Sequence, residues 1–504
     1  MKKLDEQIVS GSILRSVWKL TWPVALLNLV NGSHGFVDQI LIGRHVPSET
    51  NAANAAIGIS WQVFLVIIVF IASIFHGMNV LIARYAGIQD RENMSRVAYE
   101  SFLFTVLTLV FIVGPIGYAA SPYLLDYVCG SQEVWDYAIV YIRMLFLFGA
   151  PLFLMFMLTG AFGASGDPKT PLKLGILSTS LNIVLSLILI PGVQPFDIPL
   201  WPEALGGAVL VDMPLLGAIN VPLYAAAHSL HVPLHIPALG VMGAAIGTLV
   251  APAVSVLLAI ILILRHKMIL QPPKKFTIIP DFKTIWNIAR IGIPTGIQGV
   301  LLNIGGTCVI LYLAQLEDGD AAQAAYTICY TQLFSIVTRP SFGLRGAAAT
   351  VMGQNIGAGK QDRGKKGVAV AACLGLGWAF FAAMLYWFQS TALLGMFGAT
   401  EEPVFSYGKE LLHFLAFSAI VLSPTLALTG GIQGAGETKK PMYIAFLTQI
   451  VVLLGIVSCF FFLGSLTTTT VWSAILISHI SRLVLTIGLF RTKQWQHTEV
   501  RMND

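Results

Sequence analysis

Continuous apolar stretches of about 20 residues recur from one end of this chain to the other, each long enough to cross a bilayer core of about 30 Å. Nothing in the sequence constrains the fold more. Inside a bilayer every backbone N–H and C=O must be satisfied internally, which leaves only helices and closed barrels. The stretches are continuous rather than alternating, so a barrel is excluded. Composition agrees: 56% of the 504 residues are hydrophobic and 11% charged, with a mean hydropathy of +0.77. A soluble protein would carry about 25% charged residues. The expected fold is all-α and integral to the membrane. Twelve transmembrane helices are placed near 18–42, 56–81, 97–120, 138–162, 172–192, 240–264, 285–314, 323–348, 367–388, 411–432, 442–464 and 471–490.

The connections alternate in charge. One set is basic: Lys2 to Lys19, Arg84 to Arg96, Lys169 to Lys173, Arg265 to Arg290, Lys360 to Lys366, Lys439 with Lys440, and the tail from Arg491. The other has little beyond Arg44, Arg143 and Lys409, and carries acids such as Glu317, Asp318, Asp320, Glu401 and Glu402. Basic loops stay on the cytoplasmic side, so both termini are expected there. "MKKLDEQIVSGSILRSVWKL" has no uninterrupted apolar core and no small-residue cleavage site, and reads as a retained segment rather than a signal peptide. The net charge of +5 suggests no nucleic-acid partner. Five scattered cysteines suggest neither a disulfide framework nor a metal motif.

The chain also repeats itself. "LTGAFGASGDPKTP" (158–171) matches "LTGGIQGAGETKKP" (428–441), "ARYAGIQDR" (83–91) resembles "NIGAGKQDR" (355–363), and Pro23 aligns with Pro294. Gly and Lys are common in cytoplasmic turns, which could account for one such loop but hardly for matched pairs whose offsets agree within two residues. Residues 1–270 and 271–504 are thus read as two six-helix lobes of the same orientation, pseudo-symmetric about the membrane normal. Duplications of this kind typify transporters that bind cargo between their halves and expose it to each side in turn.

One segment breaks the symmetry. Residues 193–239, on the extracytoplasmic side, are Pro-rich and apolar, where the second half has only "GSLTTTT". Two readings stand: a structured cap or interfacial re-entrant segment, or an extra short helix pair. His228, His231 and His235 would share a helical face, but Pro233 argues against a continuous helix, and no further metal ligands can be assigned.

Within the spans, polar residues are few. Asp38 is the carboxylate placed well inside a span, away from its ends, and on a helix His34 and Asn31 share its face. A charge at that depth is costly and marks a functional site by default, unless it pairs near the interface, as Arg44 would allow. The second half offers cations: Arg339 and Arg345 in the eighth span, and Arg482 near His479 in the twelfth. Arg339 and Arg345 either line the cleft, pair with backbone carbonyls or snorkel to the interface. An arginine in the cleft would disfavour simple cationic cargo and favour anions or zwitterions. Gln298, Asn303 and Gln332 are further cavity candidates, and Pro23, Pro294 and Pro340 permit bends.

Taken together, "GFVDQILIGR", "GQNIGAGK", "GASGDPKTPLKLGILSTSLNIVL" and "GAGETKKPM" on this twelve-span plan resemble the MATE family of multidrug and toxic-compound extruders. The resemblance covers nearly all the chain outside 193–239. It implies a monomeric, multi-pass protein of the bacterial inner membrane, not an enzyme and without a cofactor. Such a protein exports small organic compounds against inward H⁺ or Na⁺ by rocking two lobes. The family's first-span carboxylate falls on Asp38 and its fifth-span asparagine on Asn182, while the acid often found one turn later is Ser186 here. Neither the seventh-span glutamate nor the tenth-span aspartate of sodium-coupled members is present. Ion coupling is therefore expected at Asp38, with His34 and Asn182 as neighbours and H⁺ favoured over Na⁺, since hard cations want several oxygens with negative charge among them. The alternatives are a lipid-linked saccharide flippase of the same superfamily, which would want a strongly basic cavity, and an integral-membrane enzyme. For the latter, His76, His413 and His479 lie too far apart in the sequence to suggest a site.

Overall fold

The computed structural model describes residues 6–45, 50–192, 196–199, 209–213, 217–221, 229–232, 237–274, 276–399, 401–492 and 495. The side chains of Asn31 and His34 lie outside the described residues, as do His228 and His235. Twelve helical spans follow one another: Ile13–His45, Thr50–Gly87, Arg91–Val128, 132–164, Lys169–Leu189, Gly240–Leu264, Phe282–Leu313, 319–357, Gln361–Phe388, Val404–Gly434, Lys439–Phe462 and Thr468–Arg491. Among the described residues nine helices are long and apolar enough to cross a membrane. The fourth span bends by 54° at Gly149, between Gln132–Phe148 and Ala150–Ala164. The third, eighth and eleventh widen into π turns at Leu109–Val113, Thr327–Leu333 and Leu447–Leu454. Large apolar side chains such as Phe111, Phe388 and Phe462 stand exposed, as lipid-facing residues of a bundle must.

The duplication is written in the backbone. Gly166 and Gly436, 270 positions apart in the paired loops, both take φ above 90°, in the left-handed region. Gln89 and Gly359 share φ values of 63° and 70° at the same offset, closing the second and eighth spans. A glycine suits these places because it has no Cβ to oppose positive φ.

Each half builds its own interior. The first is centred on Phe64, packed against Phe146 and Phe153 with ring centroids 5.7 and 5.4 Å apart. The second surrounds Trp472, Tyr326 and Tyr386. A third cluster joins the start of the first span to spans eight to ten: Ile8, Val17 and Leu20 bury against Leu344, Val351 and Ile432. Arg363 fastens this crossing by donating to the carbonyls of Ile8 and Gly11.

The described part of the insertion forms short strands and is not a helix pair. Strand β1 (Phe196–Pro199) pairs antiparallel with β4 (Ser229–Val232), enclosing a hairpin of β2 (Val209–Met213) and β3 (Gly217–Val221). His231 sits in β4, so a shared helical face with its neighbours does not apply there. The all-α expectation thus holds for the membrane body and is corrected for this segment, whose Val and Ile residues suit short strands and whose Pro199 stands at a strand's end. The insertion leaves and returns at one point: Leu239 N–H donates to the Leu189 carbonyl at 2.9 Å and Gly240 N–H to that of Ile190 at 3.2 Å.

The two halves meet tightly along the ends that carry the basic loops. Arg84 donates to the Ala435 carbonyl at 2.7 Å and Gln354 to that of Ala164 at 2.8 Å. Asn28 donates to the Arg339 carbonyl at 3.1 Å. Between the second and seventh spans the backbones touch, with Gly77 against Ile288 and Gly292 against Ser73. Glycine is required there because any Cβ would enter the opposite chain.

Candidate functional site

Asp38 is buried at 7% exposure in the interior of the first half, and among the described residues its Oδ1 has no hydrogen-bond partner. Ser186 of the fifth span faces the carboxylate without closing a hydrogen bond to it. One turn earlier on the same face, Asn182 is buried with both amide atoms unpartnered. Ser186 and Asn182 lie over Gly247 of the sixth span, 3.1 and 3.4 Å from where its Cβ would stand, so the missing side chain makes their room. Tyr141 of the fourth span comes within electrostatic reach of Asp38 and adjoins Thr248. Its hydroxyl accepts from Trp61 Nε1 at 3.1 Å. Five spans of one lobe therefore converge on a single acid. Asp38 and Asn182 share this nest. Ser186, which stands where the family's acid is often found, completes it with Tyr141, Trp61 and Thr248, and for these last three the sequence signal is only their polarity within apolar spans.

A second polar constellation lies between the lobes. Arg345 of the eighth span is half-buried, and its Nε and one terminal nitrogen both donate to Gln433 Oε1, at 3.1 and 2.8 Å. Gln433 Nε2 then donates to Gln298 Oε1 at 2.8 Å, which links spans eight, ten and seven. Arg345, His76 and Thr295 are shared by the walls of two adjoining cavities of about 470 and 160 Å³. The larger is walled on one side by Asn79 and Phe156 of the first half, and on the other by Phe342 and Gln433 of the second. Arg345 therefore turns into the space between the lobes rather than towards a membrane surface.

The remaining candidates lie outside both cavities. Arg339 is tied to the first span through the Asn28 carbonyl, 3.4 Å away. Asn303 is exposed and returns its amide to the Gly299 carbonyl of its own helix at 2.9 Å. Gln332 is exposed on the π-helical stretch of the eighth span. Arg482, deep in the second half, donates to Thr448 Oγ1 at 3.2 Å and Gln449 Oε1 at 2.7 Å. Among the described residues, no group of three or more His, Cys, Asp or Glu side chains could hold a metal ion.

Two like-oriented bundles with ionisable groups buried inside and between them form an alternating-access membrane transporter. The chain belongs to the MatE family, whose profile matches residues 23–188 and 294–461, one block in each half. It is similar to the probable multidrug resistance protein YoeA of Bacillus subtilis, 24% identical over 436 residues, or 86% of this chain and 84% of that one. It is also 22% identical to the probable multidrug resistance protein NorM of Thermotoga maritima over 97% of this chain and 94% of the relative. The same fold is seen in the outward-facing structure of a multidrug resistance MATE family transporter of the MOP superfamily. That chain aligns over 98% of both proteins with a TM-score of 0.81 at 19% identity. The protein is accordingly a multi-pass transporter of the bacterial plasma membrane, not an enzyme.

Proposed function

We propose that this transporter exports small organic compounds in exchange for a cation bound at Asp38, a proton in preference to Na⁺. One observation carries the reading: a lone carboxylate, buried and with an unpartnered oxygen, in a nest of neutral oxygens and amides from a single lobe. Taking an ionised carboxylate out of water costs several kcal/mol unless it is compensated. A bound cation removes that cost. A proton needs only the carboxylate oxygen, whereas Na⁺ wants several oxygens with more negative charge than one acid supplies. With the basic loops in the cytoplasm, the lobes are closed on the inner side here, so the acid loads from outside. Rocking the lobes then carries the ion inward and cargo outward. A saccharide flippase would want a strongly basic cavity, and among the described residues Arg345 is the one lysine or arginine in the walls of these two cavities.

The test uses purified protein in vesicles with pH and Na⁺ gradients imposed separately, following accumulation of a fluorescent organic substrate. A pH gradient should drive accumulation and a Na⁺ gradient should not. Asp38→Asn should abolish the driven component and leave downhill equilibration. Driven accumulation that survives this change would remove Asp38 from the coupling.

A further inference from the structure

The interlobe cavity has a chemical sign. Arg345 brings five N–H donors to its wall, two of them spent on a single amide oxygen of Gln433. Among the described residues no carboxylate pairs with it. The amide chain is also polarised, because Gln433 Nε2 is committed to Gln298 Oε1, which leaves the Gln433 oxygen turned to the guanidinium. Thr295, on the same wall, is buried with its hydroxyl unpartnered and free to donate. Phe156 and Phe342 add flat apolar faces. Among the described residues no Asp or Glu lines either cavity. A guanidinium held only by neutral amides is a poor structural device, since an apolar side chain of similar volume packs as well at no charge cost. It is a good receptor, because its fork matches the two oxygens of a carboxylate.

We infer that this cavity takes organic anions, a carboxylate or sulfonate on an aromatic or aliphatic body, with the acidic group seated on Arg345 and Thr295. The inference names the cargo class of the exporter proposed above and rests on that reading. The volume of about 470 Å³ suits a drug-sized molecule. An organic cation placed there would meet the unneutralised charge of Arg345 where screening by water is weak. Asn79 Oδ1, buried and unpartnered across the cavity, offers one acceptor for a hydroxyl or N–H on the cargo body.

Equilibrium binding to the purified full-length protein, with no ion gradient, separates this inference from ion coupling. The probes are fluorescein, an aromatic carboxylate, and ethidium, an aromatic cation of similar size, read by fluorescence polarisation. Fluorescein should bind the more tightly. Arg345→Gln should weaken it by about tenfold or more, the range of a charge-assisted pair, and Arg345→Lys should retain part of the affinity. Gln433→Glu guards against a folding defect. It is nearly isosteric and puts a carboxylate where an amide oxygen already accepts from Arg345, while Gln298 can turn its amide to keep the second bond. It should weaken fluorescein to a similar degree and leave ethidium unchanged or tighter. Failure of fluorescein to bind, tighter binding of ethidium to the unmodified protein, or fluorescein affinity unmoved by Gln433→Glu would overturn the inference. Loss of gradient-driven accumulation with this binding pattern intact would instead count against the exchange reading alone.

Discussion

Gly292→Ala should drive the lobes apart on the side of the basic loops. A Cβ at position 292 would stand 2.8 Å from the carbonyl carbon of Ser73, and closer still to its oxygen. Carbon atoms in contact sit about 3.5–4.0 Å apart, so the seventh span must retreat by about 1 Å from the second. Neither partner can turn aside, because both surfaces are helix backbone. Gly77 makes the reciprocal contact, its Cβ falling 2.8 Å from the Ile288 carbonyl carbon. Overpacking of this kind costs about 1–3 kcal/mol, and only the closed state bears it. The ratio of closed to open protein should therefore fall by about 5- to 150-fold.

Spin labels at Ile88→Cys in the first half and Gln361→Cys in the second, in a background without the native cysteines, would report the separation by pulsed electron resonance. Both sites are exposed. Gly292→Ala and Gly77→Ala should each shift the distribution to longer distances. Gly346→Ala should not, because nothing lies within 4 Å of the Cβ it would gain. An unchanged distribution in a stably folded Gly292→Ala protein would refute the claim that these glycines set the closed state.

Two further outcomes are expected. Asp281, just before the seventh span, has its carboxyl held below the ordinary value of 3.8. Burial pushes it up, but hydrogen bonds from Thr284 and from Lys283 N–H, with the charge of Arg96 3.0 Å away, outweigh that effect. A carboxyl lowered by folding adds stability that is present above its unfolded value and lost as pH falls through the folded one. Thermal melts should therefore show a loss below about pH 4 that Asp281→Asn abolishes, while asparagine, an equally good N-cap, keeps the helix cap in place. Replacing 194–236 by a short Gly-Ser linker should leave melting and vesicle transport close to those of the intact protein, because the described strands pair only with one another and the ends already adjoin. A large fall in melting temperature would show that the insertion braces the bundle.

The sequence was most legible where physics acts locally. A bilayer imposes a length on apolar segments, so the spans were placed to within several residues, and the paired loops betrayed the duplication through Gly166 and Gly436. Asp38 stands out because a carboxylate in an apolar run is costly and, short of pairing with Arg44 near the interface, marks a functional site. Ser186 was passed over as a missing acid, yet it faces Asp38. What could not be read was rotation of one helix against another. Arg345, Gln433 and Gln298 lie on three spans, and no hydropathy pattern says that their side chains meet. His76 suggests no site in the sequence, yet it shares both cavity walls with Arg345. The Gly292, Gly296 and Gly299 spacing in "IGIPTGIQG" was an available sign of a helix contact, since small residues at such intervals admit a close neighbour.

The distribution of charge follows from how such a machine must work. Asp38 is buried in the first lobe, while Arg345 and Arg482 belong to the second, and each arginine is held by neutral amides or hydroxyls. Had acid and base been built into one lobe within reach, they would have formed a buried ion pair. Such a pair is costly to break and has little residual affinity for ion or cargo. Kept on separate lobes, with Arg345 held by a neutral amide and Asp38 left with an unpartnered oxygen, both charges stay available to exchangeable ligands. A proton on Asp38 and an anion on Arg345 would each neutralise one lobe's burden without touching the other's. The energy that links the two events is then carried by the contact between lobes, where Gly77, Gly292 and the Arg84–Ala435 bond define the closed state. Coupling should accordingly be more sensitive to changes along that seam than to the distance between the two charged sites.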